Sequence, residues 1–307
     1  MKATTVPLQR LASFPRVRIQ LRHATALLCL TLFISICGSA SAASDGRLLA
    51  TGGATQIEGS AGGGLVPWAV LTGYATRDEI GVTAFATHVE VEDFGLDSLG
   101  AAINLRNRVE LSAARQRLDL GPVADELGMP GYSLRQNVFG IKVRLAGDVI
   151  YTPWPQLALG AQYKDSLDGA IPLALGARDD HGTDVYLSAT KLFLGAAGGR
   201  NLLLNGTLRS TSANQLGLLG FAGPGEGRSL QAEVSAAILF TPSFAAGIEY
   251  RQKPDNLDIA SEDDFRDLFI AWFPNKHVST VLAWVDLGSI ANHDRQRGWY
   301  LSVQVSP

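Results

Sequence analysis

Cysteine is almost missing from this chain: of 307 residues only Cys29 and Cys37 are cysteines, and both lie near the start. The first 42 residues read as an export leader. Lys2, Arg10, Arg16, Arg18 and Arg22 give a basic start without an acidic residue, and a mostly apolar run, 24–36, follows. That run is short of the roughly 20 residues a membrane helix needs. Ala40 and Ala42 then stand where an A-x-A signal is cleaved, after Ala42. The exported remainder, 43–307, holds no thiol, which excludes disulfides and cysteine metal sites from it.

Other absences narrow the classes further. No apolar run of 18 residues follows the leader, so a transmembrane helix is excluded. Without the leader, 21 basic residues face 29 acidic ones, a net charge of −8 that argues against a nucleic-acid partner. No Pro-rich, Ser-rich or charged run marks a linker. Neither an HExxH nor a G-x-S-x-G motif is present, and His88, His181, His277 and His293 are dispersed. Enzyme activity is therefore not expected, and no cofactor is indicated. The glycine runs of 51–65 lack the Lys-Ser/Thr of a phosphate loop and precede a strand pattern, not a helix.

What the chain does have is alternation with a period of two. Phe139, Ile141, Val143 and Leu145 share one parity against Gly140, Lys142 and Arg144. Leu230, Ala232, Val234, Ala236 and Ile238 oppose Gln231, Glu233 and Ser235. Segments near 65–76, 80–91, 98–106, 108–118, 134–146, 156–165, 183–194, 201–211, 229–241, 244–253, 264–273, 278–288 and 297–306 fit strands, one of them expected to be a loop, plug or split strand. Short connections (107–108, 241–243, 274–276) mix with long polar ones (120–133, 165–182, 212–229, 254–264). Tight turns on one rim and long loops on the other are the mark of an up-and-down membrane barrel.

The polar parity carries charges of both signs in mid-strand: Glu110, Lys142, Arg144, Lys164, Arg209, Glu233, Glu249, Arg251 and Asp267, with Lys253 beyond. A small soluble barrel would place its apolar parity inside. A membrane barrel reverses this, and these charges then become lumen-lining candidates. Tyr163, Tyr250, Trp272, Phe273 and Trp299 fall toward segment ends, as an interfacial aromatic girdle requires. The fold class expected is all-β: a transmembrane antiparallel up-and-down β-barrel of about twelve strands, within a range of roughly 10–14. Residues 1–42 are the signal peptide, 43–64 a Gly-rich segment that forms a plug or a tail, and 65–307 the barrel.

"GARDDHGTD" (176–184) gathers Asp179, Asp180, His181 and Asp184, oxygen and nitrogen donors that could hold Ca²⁺ or a transition metal. Its spacing is not that of an EF-hand, and a solvated loop before a strand is the plainer reading, as it is for "SEDDF" (261–265).

"GGATQIEGSAGGGLVPWAVLTGY" (52–74), "VYLSATKLFLG" (185–195), "LLLNGTLRSTSANQLGLLGFAG" (202–223) and "EYRQKPDNL" (249–257) resemble an exported Gram-negative family, domain of unknown function 3034. The resemblance covers nearly all of the exported chain. It implies an outer-membrane-type β protein, and it carries over no site residue. Three functions follow as expectations: a narrow or partly plugged channel for small polar solutes, a non-conducting interaction barrel, or a soluble periplasmic β protein. In the barrel readings the partners are outer-membrane lipid and the barrel-assembly machinery. "RGWYLSVQVSP" (297–307) alternates to Val305 and is expected to close the barrel, although such chains commonly end on an aromatic residue.

Overall fold

The computed structural model describes residues 47–225, 227–257 and 261–307. The leader, 1–42, lies outside the described residues. Two-residue strands β1 (Ala54–Thr55) and β2 (Ala61–Gly62) pair with each other. Twelve longer strands follow: β3 (Ile80–Val91), β4 (Gly95–Leu105), β5 (Val109–Asp119), β6 (Ser133–Ala146), β7 (Gln156–Ser166) and β8 (His181–Ala197) in the first half. The second half holds β9 (Arg200–Thr211), β10 (Ser229–Thr241), β11 (Phe244–Arg251), β12 (Phe265–Trp272), β13 (Val278–Asp286) and β14 (Arg297–Val305). Each pairs antiparallel with its neighbours in sequence, and β14 pairs with β3 to close the barrel.

The seam is regular: Gly298 lies opposite Val91 and Val305 opposite Ala84. Closure leaves no unpaired strand edge, which a hydrocarbon environment would not tolerate. Alternation decides which face is which. Leu99, Phe139, Ile248 and Leu268 point outward, 52–60 % exposed, while Gln116, Lys142, Lys164 and Glu233 of the opposite parity are at most 1 % exposed. Tyr163, Trp272 and Trp299 are exposed on the outer face near strand ends, and Tyr250 shares that parity half-buried. Phe273 departs from the expectation. It follows β12 on the opposite parity, is buried, and donates its backbone N–H to Ser243 O at 2.8 Å.

The rims differ. Connections 106–108, 198–199, 242–243 and 273–277 are tight and share a rim with the start of β3, the end of β14 and the 147–155 loop. The other rim carries the short turn 92–94 and the longer connections after β5, β7, β9, β11 and β13; helix α1 (Gly121–Glu126) follows β5 and α2 (Ala170–Ala174) follows β7. Glycine allows close approach inside the wall: a Cβ on Gly160 would run into the Tyr186 ring.

Two expectations need correction. Segment 65–76 is not a wall strand; it belongs to the N-terminal segment, and the wall begins at Ile80. Its apolar residues occur on both parities because they are enclosed on all sides. The loop after β9, expected to be a long polar connection, is instead largely enclosed. Its apolar residues Leu216, Leu218, Leu219 and Phe221 are buried, and the 3₁₀ turn Asn214–Gly217 is turned inward with Gln215 and Leu216 at positive φ.

Candidate functional site

Residues 52–75 are buried throughout and lie inside the barrel. They enter beside the start of β3 and return to it, forming a folded-back plug. The wall holds the plug mainly through its backbone. Asn104 Nδ2 donates to Thr72 O (2.9 Å), Ser98 Oγ and Gln116 Nε2 to Ile57 O (2.7 and 2.8 Å), and Gln156 Nε2 to Ala69 O (2.6 Å). Thr207 Oγ1 donates to Pro67 O at 2.8 Å, and Ala69 N–H donates to Thr190 Oγ1 at 2.8 Å. These partners come from β4, β5, β7, β8 and β9. A short segment without regular structure cannot pair its own amides, so the polar parity of the strands supplies the partners.

Three charged groups organise the interface. At the centre, Glu58 of the plug faces Lys164, Arg209 and Arg251. It contacts Lys164 Nζ most closely, lies 2.8 Å from Arg251 NH1, and 3.7 Å from Arg209 NH2. Asp184 lies 2.7 Å from Lys164 and 3.4 Å from Arg209, and Glu233 accepts from Arg209 Nε at 2.5 Å. Three cations thus balance three carboxylates, and Arg209 also lies over the Tyr186 ring, 5.1 Å from its centroid. Balance is required here, because an unpaired charge at this depth would be costly.

Glu110 and Lys142 form the second group, 3.3 Å apart. Glu110 accepts Ala61 N–H (3.0 Å) and Thr72 N–H (2.7 Å), while Lys142 donates to Ala61 O (2.7 Å) and Val70 O (3.0 Å). The pair clasps both arms of the plug at once. In the third group Glu249 Oε2 accepts the successive N–H groups of Gly64, Leu65 and Val66 at 2.7, 2.6 and 3.3 Å. Its other oxygen takes Ser235 Oγ–H at 2.7 Å and Trp68 Nε1–H at 3.3 Å. A run of backbone amides around one carboxylate is a nest for negative charge. Gly63 is required beside it, since any Cβ there would collide with the Glu249 carboxylate. Asp267, opposite Glu249 in the ladder, is buried beside it.

The lumen-lining candidates are thus brought together with two qualifications. Arg144 belongs to the tight-turn rim, where it pairs with Asp148 at 3.1 Å and donates to Gly147 O at 2.9 Å. Lys253 lies beyond β11, 3.1 Å from Glu262 of the long-loop rim and 3.1 Å from Gln215 Oε1. Burial pushes the Lys253 amine down and the Glu262 carboxyl up from their ordinary ranges, while each partner's charge opposes the shift.

The cluster at 176–184 is split. Asp184 points into the lumen against Lys164 and Arg209, whereas His181 is exposed outside with Nδ1 at 2.8 Å from Asp180. Asp179 is exposed as well. Strand alternation after His181 separates them, so the reading of all four as one loop is corrected. Glu58 was not foreseen. Yet it is the single charge between Arg47 and Arg77, an isolated carboxylate that a buried cationic partner would explain.

Beside these groups, at the long-loop end of β3–β5 and β12–β13, the lumen is apolar. Ile57 and Leu65 from the plug meet Leu216 and Leu218 from the inturned loop, with Phe94, Leu118, Phe265 and Leu287 around them. The void left among them is about 30 Å³, close to the room one water needs.

These features define a closed membrane-type β-barrel with an internal plug. The chain belongs to the family described as "Protein of unknown function (DUF3034)", whose model matches residues 51–304. No curated protein matches it. Among solved structures it is similar to "KdgM porin", with a TM-score of 0.46, 9 % identity, and coverage of 73 % of this chain and 98 % of that one. It is also similar to the outer membrane protein Omp33 of Acinetobacter baumannii (TM-score 0.44, 9 % identity, 75 % and 99 % coverage). "NanC porin" gives a TM-score of 0.43, 8 % identity, and 73 % and 98 % coverage.

Proposed function

We propose that this protein resides in the outer membrane of a Gram-negative envelope and acts as a channel for small polar solutes, held shut by its own residues 52–76. It has the tight-turn rim toward the periplasm, as barrels of this kind do. Lipid surrounds the apolar outer face, and the barrel-assembly machinery inserts it; no catalytic role is assigned.

One observation carries the reading: beside the apolar contacts around Ile57 and Leu65, the wall holds the plug backbone through polar side chains. Water can replace each of those contacts when the plug withdraws. A lumen built only to be filled would be packed more simply with apolar residues, since buried ion pairs gain little over them. With the plug displaced, Lys142, Lys164, Arg209 and Arg251 would face Glu110, Asp184, Glu233 and Glu249 across water, and this lining would set selectivity.

The test is planar-bilayer conductance of the folded exported chain beside a variant lacking 52–76, each first shown to be folded by its heat-modifiable mobility on gels. The full chain should be mostly silent and the deletion steadily conducting. A folded deletion variant that stays silent at all voltages would leave a non-conducting interaction barrel in place of the channel. If the deletion does not fold, the full chain carrying a cysteine in the plug and one in the wall, bridged by a bis-thiol reagent, replaces it. Rare openings abolished by the bridge and restored on its cleavage support the channel; openings that ignore the bridge contradict it.

A further inference from the structure

The tight-turn rim holds an arginine cluster that closure of the lumen does not use. Arg106 and Asn107, at φ of 55° and 50°, make the turn between β4 and β5, and Arg108 follows. Arg77 lies where the plug passes into β3, and Arg144 near the end of β6. These four arginines, with Asn107, Ala146 and Gly147, line one recess of about 380 Å³.

Little negative charge faces it. Asp148 is committed to Arg144 (3.1 Å) and to the N–H groups of Ile150 and Tyr151 (2.9 and 3.0 Å). Glu79 accepts Thr76 N–H at 2.8 Å. The side chains of Arg77, Arg106 and Arg108 have no ion pair or hydrogen bond among the described residues. Arg47, at the start of the plug, donates to Gly73 O (3.2 Å) and Thr51 O (2.9 Å) and lies within electrostatic reach of Arg144.

Guanidinium groups gathered in a concavity without matching carboxylates repel one another. Their forked donors match the oxygens of phosphate in pairs, a geometry that carboxylates share. Tight-turn loops alone would not need this arrangement, because exposed arginines on a rim can splay into water.

We propose that this recess binds phosphate, and that the bound anion ties the return arm of the plug, through Arg77, to wall arginines Arg106, Arg108 and Arg144. The chemistry fits free phosphate in the periplasm and the phosphate of an anionic lipid headgroup in the facing leaflet. Neither source depends on whether the barrel conducts.

Calorimetric titration of the folded exported chain in non-ionic detergent with inorganic phosphate, at constant ionic strength, tests the site. Saturable binding of one phosphate is expected for free phosphate as the source, weakened at least tenfold by Arg106→Glu with Arg108→Glu. A second arm compares the urea midpoint in phosphatidylcholine vesicles with and without phosphatidylglycerol. A rise with phosphatidylglycerol that the double variant loses, without calorimetric binding, assigns the site to the headgroup. No saturable binding together with no phosphatidylglycerol effect would overturn the proposal, as would equal responses from wild type and variant. If the double reversal does not fold, Arg77→Gln reads the same recess, with a several-fold loss expected and an unchanged response contradicting it.

Discussion

The lumen is filled in two layers that work on opposite physical terms. One layer joins plug to wall by hydrogen bonds and ion pairs around Glu58, Glu110 and Glu249. The other, between β3–β5 and β12–β13, is apolar, with Ile57 and Leu65 packed against Leu216 and Leu218. Hydrogen bonds and ion pairs have direction and fix position, yet their net contribution is modest because water offers the same contacts. Apolar burial is indifferent to direction and gains from every area removed from water. The polar layer therefore sets where the plug sits, and the apolar layer seals it.

Substitutions in each layer separate these roles. Arg209→Ala should have the largest effect, about 3–5 kcal/mol, because it leaves three buried carboxylates, Glu58, Asp184 and Glu233, with two cations, Lys164 and Arg251. Urea unfolding in lipid vesicles would show it, with more frequent openings in bilayers. Leu218→Ala should cost about 2–5 kcal/mol by leaving a cavity, with the plug still in register. Equal gains in opening from both variants would erase the proposed division of labour.

The smallest effect concerns the outer loops. Asp168 accepts from Arg135 Nε (3.0 Å) and NH2 (2.9 Å), and these bonds hold its carboxyl below the ordinary range against the upward push of burial. A carboxyl depressed on folding contributes stability at neutral pH that is lost as pH falls through its folded value. Arg135 is exposed, so the contribution is at most about 1 kcal/mol. Asp168→Asn should flatten the acid side of the stability curve slightly at neutral-pH cost; an unchanged curve would remove this contact from the account.

Much of the wall was legible in the sequence. Alternation in 139–145 and 230–238 identified both faces because lipid and lumen make opposite demands on neighbouring residues. The closing strand was readable for the same reason: Trp299, Leu301 and Val303 point out while Tyr300, Ser302 and Gln304 point in. The plug was harder. Residues 65–76 are as apolar as a strand, and nothing local distinguishes enclosure by a barrel from membership in its wall. The inturned loop after β9 looks like a long polar connection, yet its Leu216, Leu218, Leu219 and Phe221 are apolar and buried. Asp184 stands in sequence among Asp179, Asp180 and His181, and only strand parity turns it inward. The pairing of Glu58 with Lys164, Arg209 and Arg251 joins segments more than 100 residues apart, a distance that spacing does not encode.

The central claim is that the N-terminal segment lies inside the barrel, and thiol labelling tests it most directly. Residues 43–307 hold no cysteine, so single substitutions in that stretch report without background. Ser60→Cys, at a position 1 % exposed, should resist a water-soluble maleimide in intact membranes, while Tyr151→Cys, at a position 79 % exposed on the tight-turn rim, reacts readily once that rim is reached by reagent. Labelling of Ser60→Cys as fast as Tyr151→Cys would place the segment outside the lumen and contradict the account.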